Sequence, residues 1–198
     1  SIGEDLVIDI KPGAPAQLMW SGSRIVRANE KFPLRLRSED QWGNTCWNRG
    51  DKVRINATLN GRSMYSKEVT LAEKGWAVLL LDDLPTQEAG ELAVTAHLSE
   101  HPWVKPAVFY VTVDEALAVP RIYYCDLHVH SEDTIGTNTT SYNLTYGRDV
   151  SGLDILAFAH NDFNITTEKW KSTVELIHSI TTDGSFVAYP GTEWCGSS

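Results

Sequence analysis

The sequence predicts a β-sandwich followed by an α/β domain. Up to about Val113 the chain consists of short apolar or alternating segments separated by turn residues, as in antiparallel sheets. After Ala116 apolar strand candidates alternate with helical segments, the order typical of a parallel α/β sheet. We therefore expect an immunoglobulin-like sandwich at residues 1–118 and an α/β domain at residues 119–198.

Six strands are expected in the sandwich, at residues 6–10, 32–37, 53–59, 76–81, 92–98 and 108–113. Residues 53–59 (VRINATL) alternate apolar and polar side chains, as a strand with one wet face does. Asn60-Gly61 follows at once and is the best hairpin turn in the chain, because both residues tolerate positive φ.

Three strands and two helices are expected in the α/β domain. The strands are residues 122–128, 154–159 and 186–189, and the helices are residues 141–150 and 167–180. Thr166 or Thr167 is better placed than Asp162 to cap the second helix. Strand, helix, strand, helix, strand is the order of a βαβαβ unit with parallel strands.

The composition restricts the partners. The net charge is -9, from 26 acidic and 17 basic side chains, so the surface repels polyanions and tight binding to a nucleic-acid backbone is not expected. No apolar run has the length of a membrane span, and no membrane partner is expected. The hydrophobic fraction of 42% is enough for a packed core. The cellular compartment is left open.

Polar clusters follow each of the three α/β strands. They are Asp126-Leu127-His128-Val129-His130-Ser131, His160-Asn161-Asp162 and Gly191-Thr192-Glu193-Trp194. The carboxyl ends of parallel strands meet at one edge of the sheet, where such proteins bind ligands. We therefore expect the three clusters to form one site.

The residue types in these clusters favour a metal. His128 and His130 alternate along an extended segment, so both imidazoles project to one side and can chelate a divalent ion. Asp126 lies two residues earlier, where it can accept the second N–H of a ligand histidine and fix its tautomer. Glu193 follows a Pro-Gly turn, where its carboxylate can bridge two ions. His160 and Asp162 are each either a ligand or a hydrogen-bonding residue of the loop.

These motifs resemble a known family. Asp126 to Ser131 is similar to the first motif of the polymerase and histidinol phosphatase (PHP) superfamily. Residues 126–138, 152–166 and 190–196 more closely resemble a PHP-like group still described as a domain of unknown function, the DUF3604 group. The resemblance covers about residues 120–198. It implies the first βαβαβ portion of a distorted TIM-type barrel that is incomplete in this chain.

The resemblance also implies a metal centre and a reaction. Members of the superfamily bind two or three Mn, Fe or Zn ions, which makes His128 and His130 ligands of one ion and Glu193 a bridge to a second. The chain departs from the pattern at Asn161 and near Gly136, where the superfamily has histidines. The departure removes two expected histidines and so argues against a third ion. His160 and Asp162 are alternative ligands for a modified site.

The expected function is metal-dependent hydrolysis of phosphate mono- or diesters of small molecules, with a metal-activated water as nucleophile and no side-chain nucleophile. Sulfate esters, other esters and amides are alternatives for the substrate. The rival function is a non-catalytic module that binds carbohydrate or protein and carries a vestigial metal site. That module would use sandwich tryptophans, namely Trp20, Trp42, Trp47 or Trp76.

A further partner is expected because an α/β barrel needs on the order of 200 residues or more. Only about 80 residues follow the predicted domain boundary, and three parallel strands leave open sheet edges. We expect a second polypeptide, or a further segment of the chain, to complete the barrel and to make the enzyme active.

Overall fold

The computed structural model describes residues 10–196, which form two compact units. The first unit ends at Leu117 and the second begins at Ala118, one residue before the boundary expected from the sequence. The strand predicted at residues 6–10 lies outside the described residues except for Ile10, which is not in a strand. No helix among the described residues is long and apolar enough to cross a membrane.

The first unit is a sandwich of two sheets. Its strands are β1 (Gln17–Gly22), β2 (Ile25–Arg27), β3 (Leu34–Glu39), β4 (Lys52–Leu59), β5 (Arg62–Thr70), β6 (Val78–Leu81), β7 (Gly90–Leu98) and β8 (Ala107–Asp114). One sheet has the order β1-β3-β6, and the other has the order β2-β8-β7-β4-β5. All neighbouring strands are antiparallel except β2 and β8, which pair in parallel.

Alternation along the strands builds the core between the sheets. In β4 the side chains of Val53, Ile55, Ala57 and Leu59 are buried, and the residues that alternate with them are exposed or half-buried. Leu34 and Leu36 of the opposite sheet are also fully buried, in the same apolar cluster. Because both sheets contribute to one core, the predicted β-sandwich is confirmed.

Five of the predicted strands correspond to β3, β4, β6, β7 and β8, within a few residues at each end. The hairpin at Asn60-Gly61 is present, with φ of 52° and 76°. The sequence analysis missed β1, β2 and β5. Strand β5 lies at a sheet edge and pairs only with β4, and nearly all of its residues are exposed or half-buried. A strand without a buried face has no apolar alternation by which it could be found.

The second unit contains a three-stranded parallel sheet and two helices. Its elements are β9 (Cys125–Val129), α1 (Thr140–Tyr146) with a π-helical turn (Gly147–Ser151), β10 (Ile155–Asn161), a 3-10 turn (Asp162–Asn164), α2 (Thr167–Ile180) and β11 (Val187–Glu193). Strand β10 lies between β9 and β11, and both pairings are parallel, as the sequence predicts. Helix α2 has the predicted bounds and begins at the Thr166 cap, whose hydroxyl accepts from the backbone N–H of Lys169.

The helices cover one face of this sheet. Leu156 and Phe158 of β10 are buried against Ile177 of α2 and Leu144 of α1. Their neighbours Ala157 and Ala159 alternate with them in β10 and therefore face the other way. The side chain of His160 continues the helix-covered face, and Asn161 lies on the opposite one. The alternation of side chains along β10 therefore decides which residues of the second polar cluster face the candidate site.

In the first unit, the carboxylate of Asp40 organises the turn after β3. Its oxygens accept from the backbone N–H groups of Gly13, Trp42 and Asn44, at 2.9, 2.9 and 3.0 Å, and from the Asn44 side chain. These donors favour the charged carboxylate, and the bond from Gly13 contributes most, so the pKa of Asp40 is lowered to about 2. The carboxylate thereby joins the N-terminal segment around Gly13 to the turn at residues 40–44.

We expect this turn to make the sandwich sensitive to acid. The folded pKa of Asp40 lies below its unfolded value, so its contribution is fully present above about pH 4 and is lost as the pH falls toward 2. Asp40→Asn should lower the stability of the first unit at pH 7 and flatten its pH dependence between about pH 4 and 2. Urea unfolding at a series of pH values measures this, with the exposed Asp82→Asn as control. An unchanged pH dependence in Asp40→Asn would contradict the assignment.

Candidate metal centre

The polar clusters at the ends of β9 and β11 bring three possible ligand atoms close together. Nε2 of His128 lies 2.9 Å from Nε2 of His130, and these two atoms lie 3.4 and 3.2 Å from Oε2 of Glu193. Among the described residues this is the group of three or more histidine, cysteine and acidic side chains that could hold a metal ion. It contains the three residues that the sequence analysis put first.

The dimensions of the triangle suit one divalent ion. A point equally distant from the three atoms lies about 1.8 Å from each, less than the usual zinc–ligand distance of about 2.0–2.2 Å. Nε2 of His128, Nε2 of His130 and Oε2 of Glu193 would together hold an ion with this bond length. Two imidazoles and a carboxylate are a donor set that suits Zn, Mn or Fe.

An extra residue in β9 turns His128 toward this site. Leu156 of β10 pairs with Asp126, but Phe158 pairs with Val129, so β9 carries three steps where β10 carries two. With regular pairing His128 would lie beside Phe158 on the helix-covered face. The bulge moves it to the face of Asn161 and Glu193, which is a known use of bulges at functional sites.

The carboxylate of Asp126 binds the backbone of the bulge, whereas a hydrogen bond to an imidazole ring was expected. Its Oδ1 accepts from the backbone N–H of His128 at 3.1 Å. The sequence analysis expected this carboxylate to bind the ring of a ligand histidine, and the structure shows it bound to the backbone instead. The reason is local: at an irregular step in a strand the backbone N–H needs another acceptor, and Asp126 is two residues away.

The loop after β9 positions His130. Asn143 of α1 donates through Nδ2 to the carbonyl oxygen of His130 at 2.8 Å, which ties the backbone of that residue to the helix. Nδ1 of the His130 ring lies 3.2 Å from the hydroxyl of Thr134. That hydroxyl also accepts from the backbone N–H of Ser131 and donates to its carbonyl oxygen. Thr134 thus occupies the position beside a ligand ring that was expected for Asp126.

Asn161 holds Glu193 from the neighbouring strand. The two residues are register partners in β10 and β11, and Nδ2 of Asn161 donates to Oε2 of Glu193 at 2.8 Å. Asn161 is 2% exposed, and its Oδ1 is buried without a hydrogen-bond partner. From the sequence, Asn161 was expected only as a member of the second polar cluster and as a departure from the family pattern, with no role of its own. The signal available in the sequence was the alternation along β10, which puts Asn161 rather than His160 on the site face.

His160 lies outside the group of ligand atoms. It is fully buried on the helix-covered face, where Nε2 is 3.0 Å from the hydroxyl of Thr173 and the ring makes an edge contact with Phe158. Burial lowers the pKa of this imidazole, which favours its neutral form. Asp162, in the 3-10 turn after β10, is also absent from the group, and its Oδ1 is buried without a partner. The two remaining ligand candidates are therefore not brought to the triangle.

Comparisons with known proteins do not identify a family for this chain. No family model matches the chain, and no curated relative matches it. Solved structures that resemble part of it include a CARDB domain from Pyrococcus furiosus in complex with di-metal ions (19% identity, 50% of this chain and 92% of that chain, TM-score 0.31). A PKD domain of an M14-like peptidase from a Thermoplasmatales archaeon also resembles it (11% identity, 52% and 99%, TM-score 0.29).

A third similar structure is a cycloisomaltooligosaccharide glucanotransferase from Paenibacillus, at 10% identity. It matches over 88% of this chain and 27% of that chain, with a TM-score of 0.38. At such identities and scores these neighbours say nothing about the metal centre. The resemblance to the PHP superfamily is untested by them.

We expect His160 to serve the fold and not the metal. His160→Ala removes a fully buried ring and its bond to Thr173, which should lower the free energy of unfolding of the second unit by about 2–3 kcal/mol. Bound metal per chain should be unchanged in the folded fraction. Urea unfolding and elemental analysis measure the two effects, with the exposed His178→Ala of α2 as control. A well-folded His160→Ala protein that had lost its metal would make His160 a ligand.

Proposed function

We propose that residues 118–198 carry the metal centre of a metal-dependent hydrolase that acts on phosphate mono- or diesters of small molecules. The observation that carries the proposal is the convergence of His128, His130 and Glu193 at one edge of a parallel sheet. The site is open to ligands, since the side chain of His128 is 56% exposed and that of Glu193 is 35% exposed. A structural metal site would be closed, whereas a catalytic one keeps room for water or substrate.

The side chains of the site have separate tasks. The two neutral imidazoles hold the cation, and the carboxylate of Glu193 offsets part of its charge. Asn161 orients that carboxylate from β10. A divalent cation supplies Lewis acidity toward an ester oxygen and lowers the pKa of bound water. The resemblance to the PHP superfamily supports one or two further ions, and Glu193 would help to hold one of them as well as the ion of His128 and His130.

No side-chain nucleophile is proposed. Ser131 is the hydroxyl nearest in sequence to the ligand histidines, but it is fully buried, and its Oγ lies 2.7 Å from the hydroxyl of Thr140. A serine nucleophile needs an exposed hydroxyl and a base beside it. This leaves water as the attacking group. Sulfate esters present similar tetrahedral geometry to phosphates and are the first alternative substrate.

A second candidate function belongs to the sandwich. Trp42 and Trp47 are 73% and 45% exposed, so a sugar ring or a peptide could stack on either one. The other two candidates are less suitable, because they are less exposed. Trp20 packs on the core and donates to the carbonyl oxygen of Ala107, and Trp76 is half-buried beside Trp47. A binding module of this kind would retain its ligand in Ala variants of the metal residues.

We also propose that a further polypeptide segment covers the second unit and completes a barrel. Four of the five residues of β9 are exposed. Leu127 of β9 and Tyr189 of β11 expose 62% and 53% of their surface. Parallel strands are normally buried on both faces, and open edges recruit further strands. A partner that supplies α/β structure would bury these side chains.

The metal proposal is tested by replacing both imidazoles. His128→Ala combined with His130→Ala leaves one carboxylate in the triangle, so bound Mn or Zn should fall at least tenfold. The fold should change little, because both side chains lie at the sheet edge. Elemental analysis after preparation without chelators measures the metal, and His178→Ala is the matched control. A double variant that binds as much metal as the wild-type protein would contradict the proposal.

The reaction is tested with chromogenic phosphate monoesters, phosphate diesters and sulfate esters in the presence of Mn or Zn. The wild-type protein, together with any completing segment, should hydrolyse a phosphate ester. Glu193→Gln should reduce turnover by a factor of ten or more with little change in thermal stability, because Glu193 lies outside the apolar core. Equal turnover in Glu193→Gln would show that this carboxylate has no part in catalysis.

The covering segment is tested by expressing residues 1–198 alone. We expect a product that self-associates through the exposed strands of the second unit, and co-expression of the completing segment should restore a soluble, metal-loaded protein. Size-exclusion chromatography with light scattering measures the association. A soluble, monomeric and active product from residues 1–198 alone would contradict the expectation.

A further inference from the structure

Thr134 contacts three groups at once beside the ligand His130. Its Oγ1 lies 3.2 Å from Nδ1 of the His130 ring, 3.2 Å from the backbone nitrogen of Ser131 and 3.0 Å from the carbonyl oxygen of Ser131. We propose that Thr134 is a positioning residue that fixes His130 in the tautomer with its proton on Nδ1, so that Nε2 presents a lone pair to the cation. The inference rests on the proposed metal centre and deepens it.

Counting protons leads to this tautomer. A hydroxyl has one proton and two lone pairs. The backbone N–H of Ser131 can only donate, so it takes one lone pair of the hydroxyl. The carbonyl of Ser131, which also accepts from the backbone N–H groups of Thr134 and Gly136, can only accept, so the contact with it uses the hydroxyl proton. One lone pair remains for the His130 ring. All three contacts are hydrogen bonds only if Nδ1 carries the proton. With the proton elsewhere, the hydroxyl and Nδ1 would face each other with lone pairs.

The other side of the ring is compatible with this assignment. Nε2 of His128, at 2.9 Å, can donate to an unprotonated Nε2 of His130 when no cation is bound. Oε2 of Glu193, 3.2 Å from Nε2 of His130, accepts from Nδ2 of Asn161 at 2.8 Å and keeps a further lone pair, so it would accept equally from a proton on Nε2. The contacts of Nδ1, and not those of Nε2, therefore carry the assignment.

The backbone groups of Thr134 itself have partners other than its hydroxyl. The backbone N–H of Thr134 donates to the carbonyl of Ser131 at 2.9 Å, and its own carbonyl accepts from Nδ2 of Asn164 at 3.2 Å. The carbonyl of His130 is held separately by Asn143. Thr134→Val, which replaces the hydroxyl by a methyl group of similar size, removes the acceptor of the Ser131 N–H and should keep these other bonds of the loop. Thr134→Ser keeps the hydroxyl and is the matched control.

The first measurement needs no metal. Long-range nitrogen–proton NMR spectra of the metal-free full chain at about pH 8.5, where histidines are neutral, report which ring nitrogen carries the proton. His130→Gln identifies its signals. We expect His130 in the wild-type protein and in Thr134→Ser to be protonated on Nδ1, and Thr134→Val to shift toward the Nε2 form. A wild-type His130 protonated on Nε2 would overturn the proposal, even if no variant folds.

The second measurement is the affinity for Zn and for Mn by competition with a chromophoric chelator. Loss of a hydrogen-bonding partner of a ligand histidine typically weakens metal binding by 10- to 100-fold, and we expect about this loss for Thr134→Val and none for Thr134→Ser. Equal affinity in Thr134→Val with an unchanged tautomer would overturn the proposal. If the wild-type protein bound no metal but kept the Nδ1 proton, the proposed function would fail while the positioning role of Thr134 stood.

Discussion

The candidate metal centre depends on the extra residue in β9 and on the hydrogen bond that stabilises it. Strand β10 alternates regularly, so the face of each of its side chains is set by Leu156 and Phe158 in the core. Strand β9 cannot follow the same alternation and still bring His128 to Glu193. The bulge between Asp126 and Val129 resolves this conflict. The carboxylate of Asp126 accepts a hydrogen bond from the backbone N–H of His128, which lies at the irregular step. Without that step the imidazole would point toward the helices.

The loop between β9 and α1 is held from several directions. Asn143 of α1 binds the carbonyl of His130, and Asn164 binds the carbonyl oxygens of Asp133 and Thr134. The ammonium group of Lys169, in the first turn of α2, donates to the carbonyl of Asp133 at 2.8 Å. The bonds from Asn164 and Lys169 connect the loop to structure formed by residues 30 or more positions later. A preorganised loop reduces the conformational entropy that metal binding would otherwise have to overcome.

The fold was predictable where several alternate residues of a segment are buried. Strands β4 and β7 alternate with period two, and α2 carries a cap and an apolar face, so each was located within one or two residues. Strand β5, at the edge of the sheet, was missed because none of its residues is fully buried. The predicted helix at residues 141–150 covers nearly all of α1 and of the π-helical turn after it, but the hydrogen bonds of that turn leave no separate pattern in the side chains.

The candidate site, like the fold, was predictable from the sequence only in part. The sequence alone determined that polar clusters follow three parallel strands, and the chemistry of His128, His130 and Glu193 was enough to select them as ligands. Only the tertiary structure decided which neighbours serve them. Asp126 binds backbone, Thr134 takes the place beside the His130 ring, and His160 turns away from the site that Asn161 faces. The physical reason is that a bulge and the strand parity set these directions, and both depend on pairing between strands about 30 residues apart in sequence, which a local pattern does not record.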